Sequence, residues 1–461
     1  MKGFALIASA LALLVAGAVA QTPAPTAARP NVVLIITDDA GYGDLGSYGA
    51  TDIRTPNIDS LGRDGVRFTD FYANAPLCSP TRAALVTGRY QQRYALEAAL
   101  GNANSPAAEQ GLPAQGRSLP ALLKPNGYAT ALIGKWHLGY KPEFGPNAHG
   151  FDYFFGQKSG YVDYYQHTGG DGQPDLFENG SPITEQGYLT DLITARSTRF
   201  VEQNASRPFF LEVAYNAPHW PCQVPDKPSV AERNAAHLGP HDANTSTRAD
   251  YVAMMERVDR GVGDILRTLD RLGLARNTLV IFTNDNGGEW LSRNAPLFQR
   301  KWTLWEGGIR VPALVRFPGR IPAGRVTPQV GITMDLTATI LAATGSAVPA
   351  DTKLEGINLL PILEGRQPVA DRTLFWRTNA GNHNMRAVRS GDYKLLMDGN
   401  TMLLYDVRRD LAERTDLGSR RQDIARRLWP LLQAWEQDVN AEAKTRNARP
   451  ISEDRAVSAP N

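Results

Sequence analysis

The stretch NVVLIIT, residues Asn31–Thr37, is an unbroken run of apolar and mostly β-branched residues, and two carboxylates, Asp38 and Asp39, follow it directly. Such a run is typical of a strand that is buried on both faces of a parallel sheet. Comparable runs recur later in the chain, at residues 129–133, 208–215, 278–283 and 312–317. We therefore expect Asn31–Thr37 to form a central strand of a large sheet.

Segments with helical periodicity separate these runs, at residues 189–203, 247–272 and 332–343. The alternation predicts an α/β fold in which a large, mostly parallel central sheet is flanked by helices on both faces. Beyond about residue 345 the pattern changes: residues 389–396 and 402–406 flank a polar turn at 399–400, and residues 423–440 are amphipathic. These features predict a smaller C-terminal antiparallel sheet with a helix against it.

The N-terminus predicts export. A basic start at Lys2, an apolar core and the small residues Ala18-Val19-Ala20 form the pattern of a secretory signal peptide, with an uncleaved anchor as the alternative. No later apolar run reaches the roughly 18 residues that span a bilayer, so we expect no membrane association after cleavage. The predicted protein is periplasmic or secreted. The expected divisions are a signal peptide at 1–20, a disordered leader at 21–29, a main domain at 30–345, a C-terminal α+β subdomain at 346–443 and a disordered tail at 444–461.

Charge and cysteine content narrow the possible partners and folds. The chain has 49 basic and 47 acidic residues, a net charge of +2, so no overall field attracts it to nucleic acid. The two cysteines, Cys78 and Cys222, are too few for a disulfide framework, so the fold depends on packing. A single bond between them remains possible, but we expect Cys222 to be a free, buried thiol.

The segment Cys78-Ser79-Pro80-Thr81-Arg82 opens a run that is compatible with a helix. It places a potential nucleophile beside a helix N-terminus and a fixed cation, an arrangement that suits an anion. Two other interpretations apply to a lone cysteine: a small buried apolar residue, or the thiolate of a phosphatase. The phosphatase loop depends on several glycines, and this segment has none.

Reactive side chains follow four of the predicted strands, and in open parallel sheets ligands bind beyond the carboxyl ends of the strands. We therefore expect these side chains to line one pocket together with Cys78. For the lysines, an ordinary surface position is the alternative, and for His137 a satisfied position in the core. The side chains in question are Asp38 and Asp39, Lys135 and His137, His219, and Asp285 and Asn286.

The acidic pair Asp38-Asp39 and the pair Asp285-Asn286 offer hard oxygen donors without a thiolate. Such a donor set suits calcium or magnesium rather than zinc. Each pair alone is also typical of a turn or a helix cap. We expect Asp44, in the same glycine-rich loop, to cap that loop locally.

Five blocks between about residues 31 and 417 resemble type I sulfatases of the alkaline-phosphatase superfamily. Among these sulfatases, the arylsulfatase B group, which removes 4-sulfate from N-acetylgalactosamine, is the one that the segments YVDYYQH from Tyr161 and KWTLWEGG from Lys301 resemble most. The resemblance implies an alkaline-phosphatase-like fold and makes residues 30–345 the catalytic domain. The blocks are TDDAGYGD from Thr37, CSPTRAALVTGRY from Cys78, GKWHLG from Gly134, GFDYFFG from Gly150 and KWTLWEGGIRVP from Lys301.

The resemblance also implies a nucleophile and a metal. A formylglycine-generating maturation enzyme would oxidise Cys78 to formylglycine (3-oxoalanine), whose aldehyde hydrate attacks the sulfur of a sulfate ester. The metal is expected to be Ca²⁺, with Mg²⁺ as the alternative. Its ligands would be Asp38, Asp39, Asp285, Asn286 and an oxygen of the modified Cys78.

The remaining roles follow from the same resemblance. Arg82 would hold the aldehyde hydrate, and Asp285 would act as the base for its attacking hydroxyl. His219 or Lys301 would protonate the leaving alcohol, and His137 would deprotonate the second hydroxyl. The cations expected to neutralise charge on the transferred sulfuryl group are Lys135, His219 and Lys301.

These expectations describe a hydrolase that releases sulfate from a sulfated sugar or an aryl sulfate. A phosphonate monoester or phosphodiester hydrolase of the same superfamily and a non-catalytic carbohydrate-binding protein are the alternatives. The glycine-flanked segment Tyr161–His167 predicts a loop at the mouth of the site, where Tyr164, Tyr165 and His167 would contact substrate and favour exo-acting removal of sulfate from a terminal sugar. Ser159 matches a sulfate-binding serine of the family.

Overall fold

The computed structural model describes residues 1, 29–101, 104, 109–226, 246–380 and 383–445. The predicted signal peptide and leader therefore lie outside the described residues, apart from Met1 and Arg29. Within the described part, no helix is long and apolar enough to cross a membrane. The strands are β1 (Asn31–Thr37), β2 (Val66–Phe68), β3 (Phe71–Tyr72), β4 (Ala129–Gly134), β5 (Tyr153–Gly156), β6 (Phe177–Glu178), β7 (Ser181–Pro182), β8 (Phe209–Ala214), β9 (Thr278–Asn284), β10 (Ala313–Arg316), β11 (Arg325–Thr327), β12 (Gly331–Ile332), β13 (Thr373–Thr378), β14 (Met385–Ser390), β15 (Tyr393–Asp398) and β16 (Thr401–Asp406). The α-helices are α1 (Pro56–Arg63), α2 (Cys78–Thr87), α3 (Leu119–Leu123), α4 (Leu189–Gln203), α5 (Arg248–Arg271), α6 (Glu306–Ile309), α7 (Thr333–Ala343), α8 (Leu360–Leu363) and α9 (Gln422–Thr445).

A ten-stranded sheet forms the centre of the molecule, with the strand order β11-β2-β10-β9-β1-β8-β4-β5-β6-β7. Its middle strands, from β9 to β5, are all parallel. Antiparallel pairs occur toward both edges, where β10 pairs with β9 and β6 pairs with β5. The predicted fold class, a large and mostly parallel sheet in an α/β protein, is confirmed.

Strand β1 lies in the middle of the sheet, between β9 and β8, and every one of its residues is buried. Val32 and Leu34 belong to the apolar core on one face of the sheet, whereas Val33 and Ile35 belong to the core on the other face. Burying each such side chain contributes roughly 1.5–3 kcal/mol. A strand with two buried faces needs apolar residues at every position, which explains the unbroken run in the sequence.

The C-terminal sheet is an antiparallel meander of β13 to β16 with α9 packed against β14 and β15. The predicted hairpin is confirmed as β15 and β16, although Arg389 and Ser390 belong to β14. Helix α9 reaches Thr445, so its last two residues fall inside the predicted tail, and residues 446–461 lie outside the described part.

A buried group of charges joins this small sheet to the main domain, and we name it the junction cluster: Glu306, Arg310, Lys394 and Glu413. The Lys394 Nζ lies 2.9 Å from Glu306 Oε1 and 3.0 Å from Glu413 Oε1. On its other oxygen, Glu306 accepts from Arg310 at 3.0 Å and from the hydroxyl of Tyr72 at 2.6 Å. Both oxygens of Glu306 are therefore satisfied within the protein.

Candidate active site

The register of the sheet brings the two predicted acidic pairs to one edge. Strands β1 and β9 are parallel neighbours, and their last residues, Thr37 and Asn284, lie opposite each other. Asp39, which follows β1, has a left-handed backbone with φ of 65°, a conformation that is uncommon for non-glycine residues but more accessible to Asp than to most. Its Oδ1 accepts a hydrogen bond of 2.7 Å from the amide of Asn286.

Cys78 is the first residue of α2 and is almost fully buried. Its thiol donates to Asp38 Oδ1 at 3.3 Å. Burial, together with the charge of Asp38, raises the pKa of the Cys78 thiol well above its ordinary value. Cys78 is thus a neutral thiol rather than a thiolate, which makes it a poor nucleophile in its unmodified form. Both cysteines are free and buried, so a bond between Cys78 and Cys222 is excluded.

Arg82, four residues into the same helix, is a fixed and buried cation. Its Nε and Nη2 donate to Asp285 Oδ2 at 3.0 and 2.8 Å, and its Nη1 donates to the carbonyl of Lys135 at 3.0 Å. Three nitrogens of this buried guanidinium are thus paired with acceptors that follow β9 and β4. These bonds hold α2 against the ends of both strands.

The two predicted lysines are buried, so the alternative of ordinary surface charges is wrong. Lys135 is fully buried and its ammonium contacts Asp38 Oδ2. The Lys301 Nζ lies 2.8 Å from Asp39 Oδ2. Burial acts to lower the pKa of Lys301, but the charge of Asp39 and its neighbours raises that pKa well above the ordinary value, so Lys301 stays charged. We name these paired groups the site cluster: Asp38, Asp39, Arg82, Lys135, Asp285 and Lys301.

His219 presents one ring nitrogen to the site. Its Nδ1 lies 2.6 Å from the carbonyl of Trp220, and since a carbonyl only accepts, Nδ1 carries the proton. The Nε2 faces Asp39 Oδ2 at 3.4 Å. Burial lowers the pKa of His219 to about 3, so two acceptors face each other across this gap. A cation between them would satisfy both acceptors.

His137 presents a free lone pair. Its Nε2 donates to the carbonyl of Leu100 at 2.9 Å, while its buried Nδ1 has no hydrogen-bond partner among the described residues. Burial lowers the pKa of His137 well below its ordinary value, which keeps the ring neutral. Gly160 lies against this ring, because a Cβ there would come within 2.7 Å of its Cε1. The Nδ1 of His137 is thus positioned as a proton acceptor.

Several oxygens in the site remain without protein partners. Asp285 Oδ1 and Asn286 Oδ1 are both buried, and neither accepts a hydrogen bond within the described chain. Orphaned buried acceptors are rare in native proteins, and a hard cation satisfies them. One ligand atom from each of four further residues lies within 4.8 Å of the others, and these residues are Asp38, Asp39, Cys78 and His219.

The charges of the acidic residues agree with this arrangement. Burial, with the charge of Asp38, raises the pKa of Asp285 to about 6. Burial also acts to raise the pKa of Asp39, but the charge of Lys301 outweighs it and holds that pKa at about 2. The donor set therefore fits Ca²⁺ or Mg²⁺, and His219, which the sequence analysis did not place among the ligands, lies close to it.

The aromatic loop differs from its prediction. Tyr164 is fully buried, and its hydroxyl donates to the backbone carbonyl of His219 at 2.8 Å. Tyr165 packs on Tyr188, and the buried His167 contacts the carbonyl of Gly187. The expectation that Tyr164 contacts substrate is therefore wrong, because this side chain points into the core and supports the segment that carries His219.

Two smaller expectations have different outcomes. The buried hydroxyl of Ser159 donates to the carbonyl of Tyr161 at 2.8 Å, so it is already engaged inside the loop. Asp44 accepts from the backbone of Gly41 at 2.9 Å and of Arg293 at 3.1 Å, which confirms it as a loop cap.

Sequence reasoning missed the residues around the opening of the site. Trp220 follows His219 directly, and Glu289 and Trp290 come three and four residues after Asn286. A cleft lined by these three side chains also reaches Asp39 and His219. Their closeness in sequence to the predicted site residues is a signal that could have found them.

Comparison with known proteins gives a consistent result. A family model described as Sulfatase matches residues 30–346, and one described as N-sulphoglucosamine sulphohydrolase, C-terminal, matches residues 295–438. The N-acetylgalactosamine-6-sulfatase of Canis lupus familiaris is 38% identical over 412 residues, which cover 84% of this chain and 74% of the relative. Arylsulfatase A of Bos taurus is 35% identical over 415 residues, covering 83% and 76% respectively.

The fold comparison agrees with the sequence comparison. The crystal structure of Ps i-CgsB in complex with k-i-k-neocarrahexaose superposes with a TM-score of 0.81 at 30% identity, covering 93% of this chain and 98% of that structure. The Sulfatase family match spans more than half of the chain, from before β1 to beyond α7. This chain therefore belongs to the sulfatase family and is a sulfuric ester hydrolase.

Proposed function

We propose that this sulfatase uses formylglycine made from Cys78 to release sulfate from a sulfated sugar. The observation that carries the proposal is the environment of Cys78, which lies buried at the start of α2 and donates to Asp38. Burial, with the charge of Asp38, raises the pKa of this thiol and so disfavours the thiolate that a thiol nucleophile would need. An oxidised side chain at this position supplies a hydroxyl nucleophile through its hydrate and can expel sulfate by returning to the aldehyde.

The same site has the donors for a resident metal. Asp38, Asp39, Asp285, Asn286 and the modified Cys78 would hold Ca²⁺ or Mg²⁺, and the unpartnered oxygens of Asp285 and Asn286 support this assignment. When bound, the metal polarises a sulfate oxygen and stabilises negative charge there.

The protein's own cations surround the place where charge develops. Lys135 and Lys301 are held by Asp38 and Asp39, so both ammonium groups stay fixed and charged. A preorganised cation in a buried site stabilises a developing anion without reorganisation, which makes such groups effective in sulfuryl transfer. Arg82 holds the nucleophilic side in place through its bonds to Asp285.

Three groups can move protons. Asp285 Oδ1 accepts no hydrogen bond within the described chain and has two lone pairs, so one can bind the metal while the other accepts the proton of the attacking hydroxyl. Lys301, which stays charged, can deliver a proton to the leaving alcohol, whereas His219, neutral with its proton on Nδ1, can do so from Nε2 only after it has taken up a proton there. His137 Nδ1 can take the proton of the second hydroxyl when sulfate leaves.

The substrate proposal rests on relatives and on the cleft. We infer that the sugar is a sulfated N-acetylgalactosamine, with the 6-sulfate favoured because the Canis lupus familiaris relative described above is named N-acetylgalactosamine-6-sulfatase. The loops that resemble arylsulfatase B favour the 4-sulfate instead, so both esters belong in the test. The N-terminal sequence pattern supports export to the periplasm or out of the cell. The enzyme would then meet its sugar substrate outside the cytoplasm.

The experiment combines maturation and turnover. The protein is produced with a formylglycine-generating enzyme, and mass spectrometry of the peptide containing Cys78 is expected to show formylglycine. The matured protein should release sulfate from N-acetylgalactosamine 6-sulfate faster than from the 4-sulfate, and a phosphodiester should react more slowly than either. Chelation should abolish turnover and Ca²⁺ should restore it. Full turnover with an unmodified Cys78, or a preference for the phosphodiester, would contradict the proposal.

A further inference from the structure

The cleft that reaches Asp39 and His219 has an outer part that the reaction chemistry does not use. Trp220, Glu289 and Trp290 line this part. Trp290 is 39% exposed. Among the large apolar residues that are exposed in the described part of the chain, it is the aromatic one. Asp39 and His219 also line this cleft, so a molecule that reaches these two residues has its remainder beside Trp220, Glu289 and Trp290.

Tyr161 packs against two of the side chains that line the cleft, Trp220 and His219. The ring of Tyr161 lies 4.0 Å from that of Trp220, centroid to centroid, and is nearly parallel to the ring of His219 at 6.0 Å. The ring that presents Nε2 to the leaving oxygen is thus part of the same aromatic surface. Aromatic side chains combine a broad apolar face with a polar edge, which suits the C–H face of a sugar ring.

Glu289 places a carboxylate at the other side of the cleft. Its Oε2 accepts from the indole of Trp302 at 3.2 Å and lies 3.9 Å from the Lys301 Nζ. Its Oε1 has no hydrogen-bond partner within the described residues. The Lys301 ammonium therefore lies between Glu289 and Asp39. The side chain of Glu289, which carries the unpartnered Oε1, is 21% exposed.

A carboxylate in this position discriminates between substrates by its chemistry. It accepts hydrogen bonds, so it matches a sugar hydroxyl, and it repels a second sulfate or a carboxylate placed beside it. Lys301 does not cancel this effect, because its ammonium is closer to Asp39, at 2.8 Å, than to Glu289. Burial raises the pKa of Glu289, whereas the charges of Lys301 and of the exposed Arg300 act to lower it and favour the carboxylate.

Resting on the proposed function, we propose that Glu289, Trp290 and Trp220 form the subsite for the leaving sugar. The subsite selects a sugar that carries a free hydroxyl next to the sulfate ester and no second anionic group there. Glu289 accepts a hydrogen bond from that hydroxyl, and the two indoles bind the ring. Substrates of this class are monosulfated sugars, as opposed to polysulfated ones.

The test measures kcat/KM for three substrates with matured enzyme: N-acetylgalactosamine 6-sulfate, its 4,6-disulfate and 4-nitrophenyl sulfate. The native enzyme should prefer the monosulfate to the disulfate by at least about tenfold. A hydrogen bond to a charged group contributes about 1.5–3 kcal/mol, so in Glu289→Gln the ratio of monosulfate to aryl sulfate turnover should fall roughly 10-fold or more. The same variant should narrow the preference over the disulfate, because the repulsion is gone.

A second variant keeps the test independent of Glu289. Trp290→Ala removes an exposed ring and should raise KM for the sugar while leaving its kcat less affected. The matched control is Trp429→Ala on α9, which removes a partly exposed indole far along the chain from the cleft and should leave both substrates unchanged. Calorimetry with Cys78→Ala, which cannot turn over, should show the same loss of sugar binding when combined with Glu289→Gln.

The outcomes separate this inference from the proposed function. Turnover of 4-nitrophenyl sulfate with unchanged sugar selectivity in both cleft variants would overturn the subsite and leave the sulfatase mechanism standing. A preference of the native enzyme for the disulfate would overturn the subsite as well. Loss of all turnover in native protein that carries formylglycine would overturn the proposed function, and the subsite with it.

Discussion

The site cluster and the junction cluster contain the same kinds of buried charge but leave different groups unpaired. In the junction cluster, both oxygens of Glu306 have protein partners, and Glu413 Oε1, which accepts no hydrogen bond from the described residues, lies 3.0 Å from the Lys394 ammonium. In the site cluster, Asp285 Oδ1 has no partner within the described chain, and neither has the nearby His137 Nδ1. The difference teaches that buried charge alone does not mark a functional site, whereas orphaned acceptors on several neighbouring residues, here Asp285, Asn286 and His137, point to one.

The largest expected effect is a loss of activity, and it tests the role of the site cluster. Cys78→Ser should lower turnover by roughly three orders of magnitude or more, because a serine cannot expel sulfate by returning to an aldehyde. Cys222→Ser is the matched control, since Cys222 is also free and buried and should be dispensable. Sulfate release and thermal unfolding should be measured on both variants. Equal turnover of Cys78→Ser and native protein would rule out the formylglycine mechanism.

The second largest effect is a loss of stability, and it tests the role of the junction cluster. Lys394→Met leaves Glu306 and Glu413 as buried carboxylates without their shared partner, and breaking a buried pair costs about 3–5 kcal/mol. Denaturant unfolding should show this loss, while specific activity at temperatures well below the transition should change far less. A variant with native stability would show that the junction cluster does not hold the small sheet in place.

The third effect uses pH to sharpen the comparison. Burial raises the pKa of Glu413 from 4.5 to about 7, although Lys394 acts in the opposite direction. A carboxyl whose pKa is raised on folding contributes stability that is complete below its unfolded pKa and is lost as pH rises through the folded pKa. The loss between pH 4.5 and about 7 should be on the order of 2–3 kcal/mol.

The variant Glu413→Gln removes this titration. Its unfolding free energy, measured by denaturant at several pH values, should decline less than that of the native protein across that window. Glu306 does not interfere, because the charges of Lys394 and Arg310 outweigh burial and lower its pKa to about 2, so its contribution changes only at lower pH. Parallel stability curves for the two proteins would contradict the assignment.

The smallest effect concerns the support of the site cluster. Tyr164→Phe removes the hydrogen bond to the His219 carbonyl, which contributes about 0.5–1.5 kcal/mol. We expect kcat to fall by roughly twofold to tenfold with little change in KM, because His219 acts on the leaving group. Tyr165→Phe, which loses a similar bond to the Val224 carbonyl, is the control and should keep kcat. A greater fall in Tyr165→Phe would contradict the role of Tyr164.

Much of the fold could be predicted because each core element carries its own periodic signal. The strand Asn31–Thr37 and the helix Leu189–Gln203 have the bounds that their patterns indicate. The predicted strand ends also indicated that the two acidic pairs lie close together, because the carboxyl ends of parallel strands lie at a common edge of the sheet. The blocks that resemble sulfatases identified Cys78, Arg82 and the two lysines as a set.

The loop around Tyr164 shows where such prediction fails. Its glycine flanks indicate an exposed loop, yet Tyr164 lies in the core against Tyr188. A loop without periodicity carries no local signal for the direction of its side chains, and packing against distant segments decides that direction. The same holds for Glu289, whose position depends on Trp302 and Lys301.

The sequence by itself determined the strands and helices, the edge where ligands bind and the residue types that meet there, because hydrophobic period and strand-end position are local properties. Only the tertiary structure decided which nitrogen of His219 and His137 is free, and that Tyr164 is a support. It also decided that Glu306 and Lys394 meet in the core. These outcomes depend on contacts between side chains far apart in the chain, and such contacts form only when the loops and layers are packed together.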